Sequence, residues 1–314
     1  MIYDAVLFLS FGGPESREEV IPFLENVLGG RNVPRQRIQE VAEHYYHFGG
    51  RSPINGQNRV MIERLKEELR SNGPDLPVYW GNRNWRPFLT ETMRQMTADR
   101  VKRAIAFVTS AYSSYSGCRQ YREDIQRARE AAGEGAPEID KIRAFFGEPG
   151  FLDPIVENVS SALANFSKPL VLFTAHSIPT EMAESSDYER QIREASSSVV
   201  RRLELTDWSV AYQSRSGPPS QPWLRPDTAD VLRETPATEV VLVPIGFLSD
   251  HMEVIYDLDV EAAEICRQRG IAMGRASTVG TDSRFIRLIR DLIVERNEVW
   301  RPDACRPNCC LRGR

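Results

Sequence analysis

The chain has 314 residues, of which 41% are hydrophobic and 27% are charged, and its formal net charge is −4. This length allows two domains or one large α/β domain. The mild acidity and the lack of a dense Lys/Arg cluster exclude a nucleic-acid-binding footprint. The longest apolar runs, residues 5–9 and 240–248, fall far short of the ~18 residues of a membrane span, so no transmembrane segment is expected.

Strand-like apolar runs alternate with amphipathic stretches along the chain. In chain order, the predicted strands are 5–11, 78–81, 104–109, 170–174, 209–212 and 240–244. The predicted helices are 15–28, 35–47, 56–71, 88–98, 119–132, 151–166, 187–204, 227–235, 252–268 and 282–298. This alternation indicates an α/β fold, in which mostly parallel sheets carry helices on both faces.

Several features of the pattern bear on domain organisation. The strand–helix alternation starts again near Leu170, which predicts two similar halves. The Pro/Ser-rich segment 214–226 is expected to be an irregular loop. Residues 301–314 contain two prolines and are predicted to form a tail rather than a helix. The first residues, Met-Ile-Tyr-Asp, enter a strand at once, so we expect no signal peptide and a cytoplasmic protein.

The first candidate site residue is His176. The predicted strand 170–174 runs directly into Ala-His-Ser-Ile-Pro at 175–179. The histidine therefore follows the carboxyl end of a strand, where open α/β sheets place their ligands. An imidazole with a pKa near neutrality can accept protons. The alternative is a structural histidine that only makes hydrogen bonds.

The stretch after strand 240–244 is the second candidate. His251 is followed there by carboxylates spaced four residues apart, at Glu253, Asp257 and Glu261. In a helix, this i, i+4, i+8 spacing stacks the acids in one column, where they repel one another. A metal ion or protons moving along the column would account for it; a solvated polar face is the alternative. If the two preceding strands are neighbours, His176 and Glu253 lie across one cleft.

Three loops have compositions that suit a flat ligand. The glycine-rich turn 9–15 is not the G-x-G-x-x-G of nucleotide-binding folds, but it allows close approach to the backbone. The loop 49–53 offers a cation and a hydroxyl for a carboxylate. The segment 110–121 is dense in hydroxyls and aromatic rings, which suits a large planar ligand with polar edges.

Cysteines are crowded at the C-terminus. Three of the five lie in the last ten residues: Cys305, Cys309 and Cys310. A cytoplasmic chain seldom uses cysteines for structural disulfides. The crowding indicates a thiolate-bound metal or cluster, with a disordered, oxidation-prone tail as the alternative.

Taken together, these segments resemble the ferrochelatases, which insert ferrous iron into a porphyrin in haem synthesis. The resemblance covers essentially the whole chain. It rests on these motifs: Ala-His-Ser-Ile-Pro (175–179), Ser-Asp-His-Met-Glu (249–253), Ser-Phe-Gly-Gly-Pro (10–14), Gly-Gly-Arg-Ser-Pro-Ile-Asn (49–55) and Tyr-Gln-Ser-Arg-Ser-Gly-Pro-Pro (212–219). Residues 79–85 and 113–121 look most like the actinobacterial-type enzymes, which are similar to coproporphyrin III ferrochelatases.

The resemblance implies two similar Rossmann-like domains, each a parallel sheet flanked by helices, with the active cleft between them. The first would comprise 1–109 and the C-terminal helix at 282–300, and the second 110–281, followed by the Cys-rich tail 301–314. The implied activity is insertion of Fe²⁺, as substrate, into coproporphyrin III. The alternatives are protoporphyrin IX as substrate, giving protohaem, another tetrapyrrole chelatase, or a non-catalytic haem- or iron-binding protein.

Residue by residue, the resemblance implies that His176 and Glu253 are the iron-binding and catalytic pair. Asp257 and Glu261 would form an acidic relay for the metal or for released protons. The implied porphyrin contacts are Phe11, Ser52 and Tyr121. Related coproporphyrin enzymes from other bacteria carry a tyrosine, able to ligate the product iron, where this chain has Phe11. Phenylalanine has no donor atom, so that contact is expected to be absent or supplied elsewhere.

Some ferrochelatases also bind a [2Fe–2S] cluster through one internal cysteine and three near the C-terminus. The matching residues of this chain are Cys118, Cys305, Cys309 and Cys310, so the resemblance implies such a cluster. Cys266, inside a predicted helix, is expected to be an ordinary small apolar residue. The implied partners are the porphyrin and the downstream coproheme decarboxylase, and no nucleic acid.

Overall fold

The computed structural model describes residues 2–29, 33–217, 220–298 and 309–312. Contacts between Cα atoms divide the chain into two compact units. Unit 1 comprises Met1–Thr109, Gln120–Arg143 and Ile289–Ala304. Unit 2 comprises Ser110–Arg119, Ala144–Leu288 and Cys305–Arg314.

Unit 1 contains a four-stranded parallel sheet. Its strands are β1 (Ala5–Ser10), β2 (Val78–Asn82), β3 (Arg103–Val108) and β4 (Glu138–Lys141). Its helices are α1 (Val20–Leu28), α2 (Arg35–His47), α3 (Ile54–Asn72), α4 (Leu89–Ala98) and α5 (Gln120–Ala132), with a 3₁₀ turn at Arg17–Glu19. The strand order is β2-β1-β3-β4, and all pairings are parallel.

The core of unit 1 forms around β1. Every residue of this strand is buried, because it lies between β2 and β3 and helices cover parallel sheets on both faces. Met93 and Met96 of α4 and Ile125 of α5 pack with β1 and β3 in one apolar cluster. Val6 pairs in register with Val78 on one side and Ile105 on the other.

Unit 2 repeats this plan. Its strands are β5 (Leu170–His176), β6 (Trp208–Gln213), β7 (Glu239–Val243) and β8 (Ala272–Arg275). Its α-helices are α6 (Pro149–Leu163), α7 (Thr180–Glu184), α8 (Tyr188–Leu203), α9 (Thr228–Glu234), α10 (Met252–Tyr256) and α11 (Ala263–Arg269). The order β6-β5-β7-β8 is again all parallel and matches that of unit 1. A final helix, α12 (Ser283–Glu298), begins in unit 2 and ends in unit 1.

Two short π-helical segments interrupt the regular helices of the described chain. Tyr115–Arg119 precedes α5, and Asp257–Ala262 joins α10 to α11. The predicted helix 252–268 is therefore a composite of α, π and α turns. Segments of this kind are uncommon and occur frequently at functional sites.

The predicted fold class is confirmed, since both units are parallel sheets flanked by helices. The sequence pattern misses three elements, which are β4, β8 and α7. The two strands lie at sheet edges and read Glu-Ile-Asp-Lys and Ala-Met-Gly-Arg, so neither contains an apolar run. None of the helices in the described ranges combines the length and apolarity needed to cross a membrane.

The bounds of the two units differ in part from the predicted domain bounds, which stay a prediction. Residues 120–143 group with the first sheet because β4 pairs with β3 and α5 packs in the same cluster as α4. The start of α12 groups with unit 2 because Phe285 packs against Phe145 and Phe151, with ring centroids 5.9 and 6.2 Å away. The predicted tail 301–314 lies mostly outside the described residues.

Candidate active site

The end of β5 places His176. This histidine is the last residue of the strand and pairs in register with Gln213, the last residue of β6. The loop after β7 passes close to β5 because Gly246 has no side chain: a Cβ there would lie 2.6 Å from the Cβ of Ala175. The Gly246 amide also donates to the carbonyl of Thr174 at 3.0 Å. The segments that follow three adjacent strands therefore meet at the carboxyl ends of those strands, as expected for an α/β site.

His176 and Glu253 face each other at the carboxyl ends of these strands. Nε2 of His176 lies 3.7 Å from Oε2 of Glu253, and the two side chains are 31% and 46% exposed. Nδ1 lies 2.5 Å from the carbonyl oxygen of Ser177. Because a carbonyl oxygen only accepts, Nδ1 carries the proton of that bond. In the neutral ring, Nε2 therefore keeps a lone pair that can take a proton or bind a metal ion.

The pKa of His176 is raised and that of Glu253 is lowered by their proximity. Burial disfavours the charged imidazole, but the charge and hydrogen bond of Glu253 and the Ser177 carbonyl outweigh it and raise the pKa of His176. Burial would raise the pKa of Glu253, yet His176 and His251 lower it to about 2. Burial and the nearby His176 lower the pKa of His251, against the opposing charge of Glu253. A proton at this site is therefore held more readily by His176 than by His251.

Asp257 has an environment that favours protonation. Its carboxylate accepts hydrogen bonds from Nε2 of Gln213, at 3.2 Å, and from the Ser214 hydroxyl. Burial raises the pKa of Asp257 to about 7; the Ser214 hydrogen bond opposes the shift, and the charges of Glu253 and Glu261 add to it. Near neutral pH, this carboxyl group therefore holds a proton far more readily than an ordinary aspartate does.

The third acid, Glu261, lies in the π-helical segment. The predicted i, i+4, i+8 column assumes a continuous α-helix, and this segment departs from that geometry. Burial and the charge of Asp227 raise the pKa of Glu261, and Arg233 opposes them. Asp257 and Glu261 thus both hold a proton more readily than ordinary carboxyl groups do.

Comparison with known proteins decides the family. The family model for ferrochelatase matches residues 3–297. The chain belongs to the ferrochelatase family. A protein of Rhodopirellula baltica named ferrochelatase is 53% identical, across 98% of this chain and 93% of its own length. A coproporphyrin III ferrochelatase of Streptomyces coelicolor is 47% identical, across 94% of this chain and 85% of its own. The predicted resemblance is confirmed.

Solved structures show the same fold at low identity. SirB from Bacillus subtilis with Fe³⁺ superimposes with a TM-score of 0.57 at 10% sequence identity, and the match covers 94% of this chain and 97% of that one. Such a likeness shows the architecture alone.

Ferrochelatase positions predicted to contact the porphyrin lie in unit 1. Phe11 is half-buried and packs edge-on against Phe23, with ring centroids 6.3 Å apart. Ser52 is 5% exposed and Tyr121 is 4% exposed. The Arg83 guanidinium lies 3.6 Å from the centroid of the Tyr121 ring. The porphyrin-binding role of all three residues stays a prediction.

Cys118 lies close to Cys309 and Cys310 in unit 2, although it is far from them in sequence. The sulfur atoms of Cys309 and Cys310 are 3.3 Å apart. A hydrogen bond with Cys118, followed by burial and a hydrogen bond with Cys309, raises the pKa of Cys310 well above its ordinary value. Cys305 falls outside the described residues. Among those described, no three His, Cys, Asp or Glu side chains are arranged as a metal-binding group.

Three site residues were not predicted from the sequence. Tyr188 donates its hydroxyl to the His176 carbonyl at 3.0 Å, and Gln213 and Ser214 bond to Asp257. The signal for the last two was present, since they lie in the motif 212–219 that supports the family resemblance. Nothing in the spacing of that motif indicates which carboxylate it meets.

Proposed function

We propose that this ferrochelatase inserts ferrous iron into coproporphyrin III in haem biosynthesis. The observation that carries the proposal is the imidazole–carboxylate pair of His176 and Glu253, with 3.7 Å between Nε2 and Oε2 at the sheet edge. The coproporphyrin assignment is supported by relatives named coproporphyrin III ferrochelatase that are 47% identical to this chain.

The reaction requires that two pyrrole N–H protons leave the macrocycle and that Fe²⁺ loses its water. We assign the role of proton acceptor to Nε2 of His176. The bond from Nδ1 to Ser177 fixes the tautomer in which Nε2 is basic, so the neutral ring can take a pyrrole proton directly. The Glu253 carboxylate then stabilises the resulting imidazolium, as its charge already does when it raises the pKa of His176.

We assign the iron-facing role to Glu253 together with His176, because a carboxylate and an imidazole are suitable ligands for divalent iron. The low pKa of Glu253 keeps its carboxylate ionised for an incoming cation. Asp257 and Glu261 have raised pKa values and would take protons or water from the reacting centre. This direction of transfer follows the order of the acids along the composite helix.

Phe11, Ser52 and Tyr121 are the proposed porphyrin contacts of unit 1. Phe11 offers only a ring face and edge, so this residue cannot ligate the product iron. A product that lacks this axial ligand is expected to leave more easily. We propose that it passes to a decarboxylase that acts on the coproporphyrin propionates, and that the reaction takes place in the cytoplasm. The described cysteines are free thiols, as in reducing compartments.

The decisive experiment compares turnover on two porphyrins. Purified protein is given Fe²⁺ anaerobically with coproporphyrin III or protoporphyrin IX, and metalloporphyrin formation is followed spectroscopically. Faster turnover of coproporphyrin III supports the proposal. Faster turnover of protoporphyrin IX would assign the alternative substrate. Tight haem retention without turnover on either porphyrin would indicate a binding protein and contradict enzymatic function.

We further propose that Cys118, Cys305, Cys309 and Cys310 hold a [2Fe–2S] cluster. Three of these thiols are neighbours in the structure, and four cysteine thiolates are the usual ligand set of such a cluster. The hydrogen bond with Cys118 raises the pKa of Cys310, so a bound metal would have to supply the positive charge that stabilises its thiolate. When bound, a cluster supplies a one-electron redox centre; none of the steps above uses it.

A further inference from the structure

The carboxyl end of β6 holds a buried amide beside the acidic residues. Gln213 is 3% exposed and pairs in register with His176. Its Nε2 donates both to the main-chain carbonyl of Glu253, at 3.1 Å, and to the carboxylate of Asp257, at 3.2 Å. The Gln213 side chain thus connects the main chain of Glu253 to the carboxyl group of Asp257.

Ser214 adds a second donor through an unusual backbone conformation. Its φ is +60°, in the left-handed region that a residue with a β-carbon rarely adopts. In this conformation, the hydroxyl donates to the same Oδ2 of Asp257 that Gln213 contacts. Strained residues of this kind persist where the surrounding structure holds them, often at functional sites.

The amide oxygen of Gln213 is available for a further hydrogen bond. Its Oε1 is buried and has no hydrogen-bond partner among the described residues. Leaving a buried acceptor unpaired is costly, and native structures seldom do so without a reason. An unpaired amide oxygen on the side chain that bonds to Asp257 suits a donor that arrives with the substrate, such as a water molecule bound to a divalent cation.

We propose that Gln213 and Ser214 are positioning residues that hold the Asp257 carboxyl group next to Glu253, and that Gln213 Oε1 accepts a hydrogen bond from the hydration water of the incoming ferrous ion. This inference rests on the proposed function, since it assigns the uptake step of the same metal. It predicts that the two residues affect how the enzyme takes up metal and leave porphyrin binding unchanged.

The test measures kcat and separate KM values for Fe²⁺ and for the porphyrin in Gln213→Met, Ser214→Ala and Ser214→Gly. We expect the KM for Fe²⁺ to rise about tenfold in each variant, the effect of losing a hydrogen bond to a charged group, and the KM for the porphyrin to stay within about twofold. Ser216→Ala, at an exposed serine of the same loop, is the matched control and should resemble the wild type.

The two Ser214 variants separate a hydrogen bond from a merely structural role. Glycine accepts the left-handed conformation and relieves its strain, whereas alanine retains it. Ser214→Gly should therefore be more resistant to urea than Ser214→Ala, while both show the same rise in the KM for Fe²⁺. If KM followed stability instead, the positioning role would be contradicted.

A double-mutant cycle with Asp257→Asn tests whether the hydroxyl acts through Asp257. Adding Ser214→Ala to Asp257→Asn should change the KM for Fe²⁺ by less than about twofold, because the partner charge is already gone. Additive effects, or a rise in the KM for the porphyrin, would overturn the inference. If the wild type inserts no iron, the proposed function fails. The inference is then tested separately by calorimetric titration of the wild type and Gln213→Met with Co²⁺. Equal Co²⁺ affinity in the two proteins would reject it.

Discussion

At the residue scale, the imidazole and carboxylate at the end of β5 stabilise each other's charge. The pKa of His176 is raised and that of Glu253 is lowered, so each group stabilises the charged form of the other whenever the imidazole is protonated. An incoming cation must then compete with the proton on Nε2. In the proposed reaction, this competition would link the uptake of Fe²⁺ to pH.

Replacing either residue should abolish most of the activity. We expect His176→Ala and Glu253→Gln to lower the rate of iron insertion at least ~100-fold, the usual contribution of a positioned acid or base. Matched controls are His47→Ala and Glu264→Gln, which change exposed residues of α2 and α11. Near wild-type rates in either site variant, with normal far-ultraviolet circular dichroism, would remove that residue from the reaction.

Metal uptake should weaken as the pH falls below neutrality. Asp257 has a pKa of about 7, and it loses its negative charge as the pH falls through that value. Protonation of His176, whose pKa is raised, acts in the same direction. We therefore expect kcat/KM for Fe²⁺ to fall between about pH 8 and about pH 6. In Asp257→Asn, the part of the profile near pH 7 should disappear; an unchanged profile would show that Asp257 does not contribute to it.

At the element scale, Arg275 of β8 braces the composite helix that carries the acids. Its Nε and Nη2 bind the carboxylate of Asp259 at 2.5 and 3.0 Å, and its Nη1 binds Asp250 at 2.9 Å. Asp250 lies three residues before Glu253, and Asp259 lies in the π-helical segment that follows it. The guanidinium therefore fixes both ends of the stretch in which Glu253 lies.

Lysine cannot reproduce this planar fork. We expect Arg275→Lys to lower the free energy of unfolding by about 1–2 kcal/mol, a range suited to a partly solvated charged network. Urea denaturation monitored by tryptophan fluorescence measures the change. Arg267→Lys is the control, because Arg267 and its partner Glu264 are 72% and 46% exposed, and it should cost clearly less stability than Arg275→Lys does. Equal losses in the two variants would contradict a bracing role for Arg275.

The same elements show what the sequence could and could not predict. Central strands such as β1 and β5 are continuous apolar runs, so periodicity finds them. The edge strand β4 is polar and depends on pairing with β3, a contact that no local pattern contains. The position of His176 after a strand was predictable for the same reason that β5 was. The bonds from Gln213 and Ser214 to Asp257 depend on tertiary structure, so the sequence supplies those residue types without their partners.

At the scale of the whole molecule, both units have the same sheet topology, but the residues at the ends of their equivalent strands differ. β1 and β5 occupy equivalent places in their sheets; β1 ends at Ser10, followed by Phe11, and β5 ends at His176. A hydroxyl and an aromatic ring suit contact with a flat ligand, whereas an imidazole suits proton and metal chemistry. We therefore expect porphyrin contacts at the end of β1 and proton and metal chemistry at the end of β5.

The C-terminal segment connects distant parts of the sequence within unit 2. Residues 309–312 approach the π-helical turn Tyr115–Arg119, where Arg119 donates to the Cys309 carbonyl at 3.0 Å. Ser185 also binds this segment. Its main-chain carbonyl accepts from the Cys310 amide at 3.0 Å, and its hydroxyl donates to the Leu311 carbonyl at 2.9 Å. These bonds keep Cys309 and Cys310 beside Cys118.

If the thiols hold a cluster, protein purified anaerobically should contain about two iron and two sulfide ions per chain and absorb visible light. Cys309→Ser should abolish all three signals, because a serine hydroxyl replaces a thiolate ligand. Cys266→Ser is the matched control: Cys266 is a buried cysteine of the α11 core, so its loss should reduce stability and leave the cluster signals unchanged. A colourless wild type without iron or sulfide would reject the cluster, and the neighbouring thiols would then be a packing contact between the C-terminal segment and the turn.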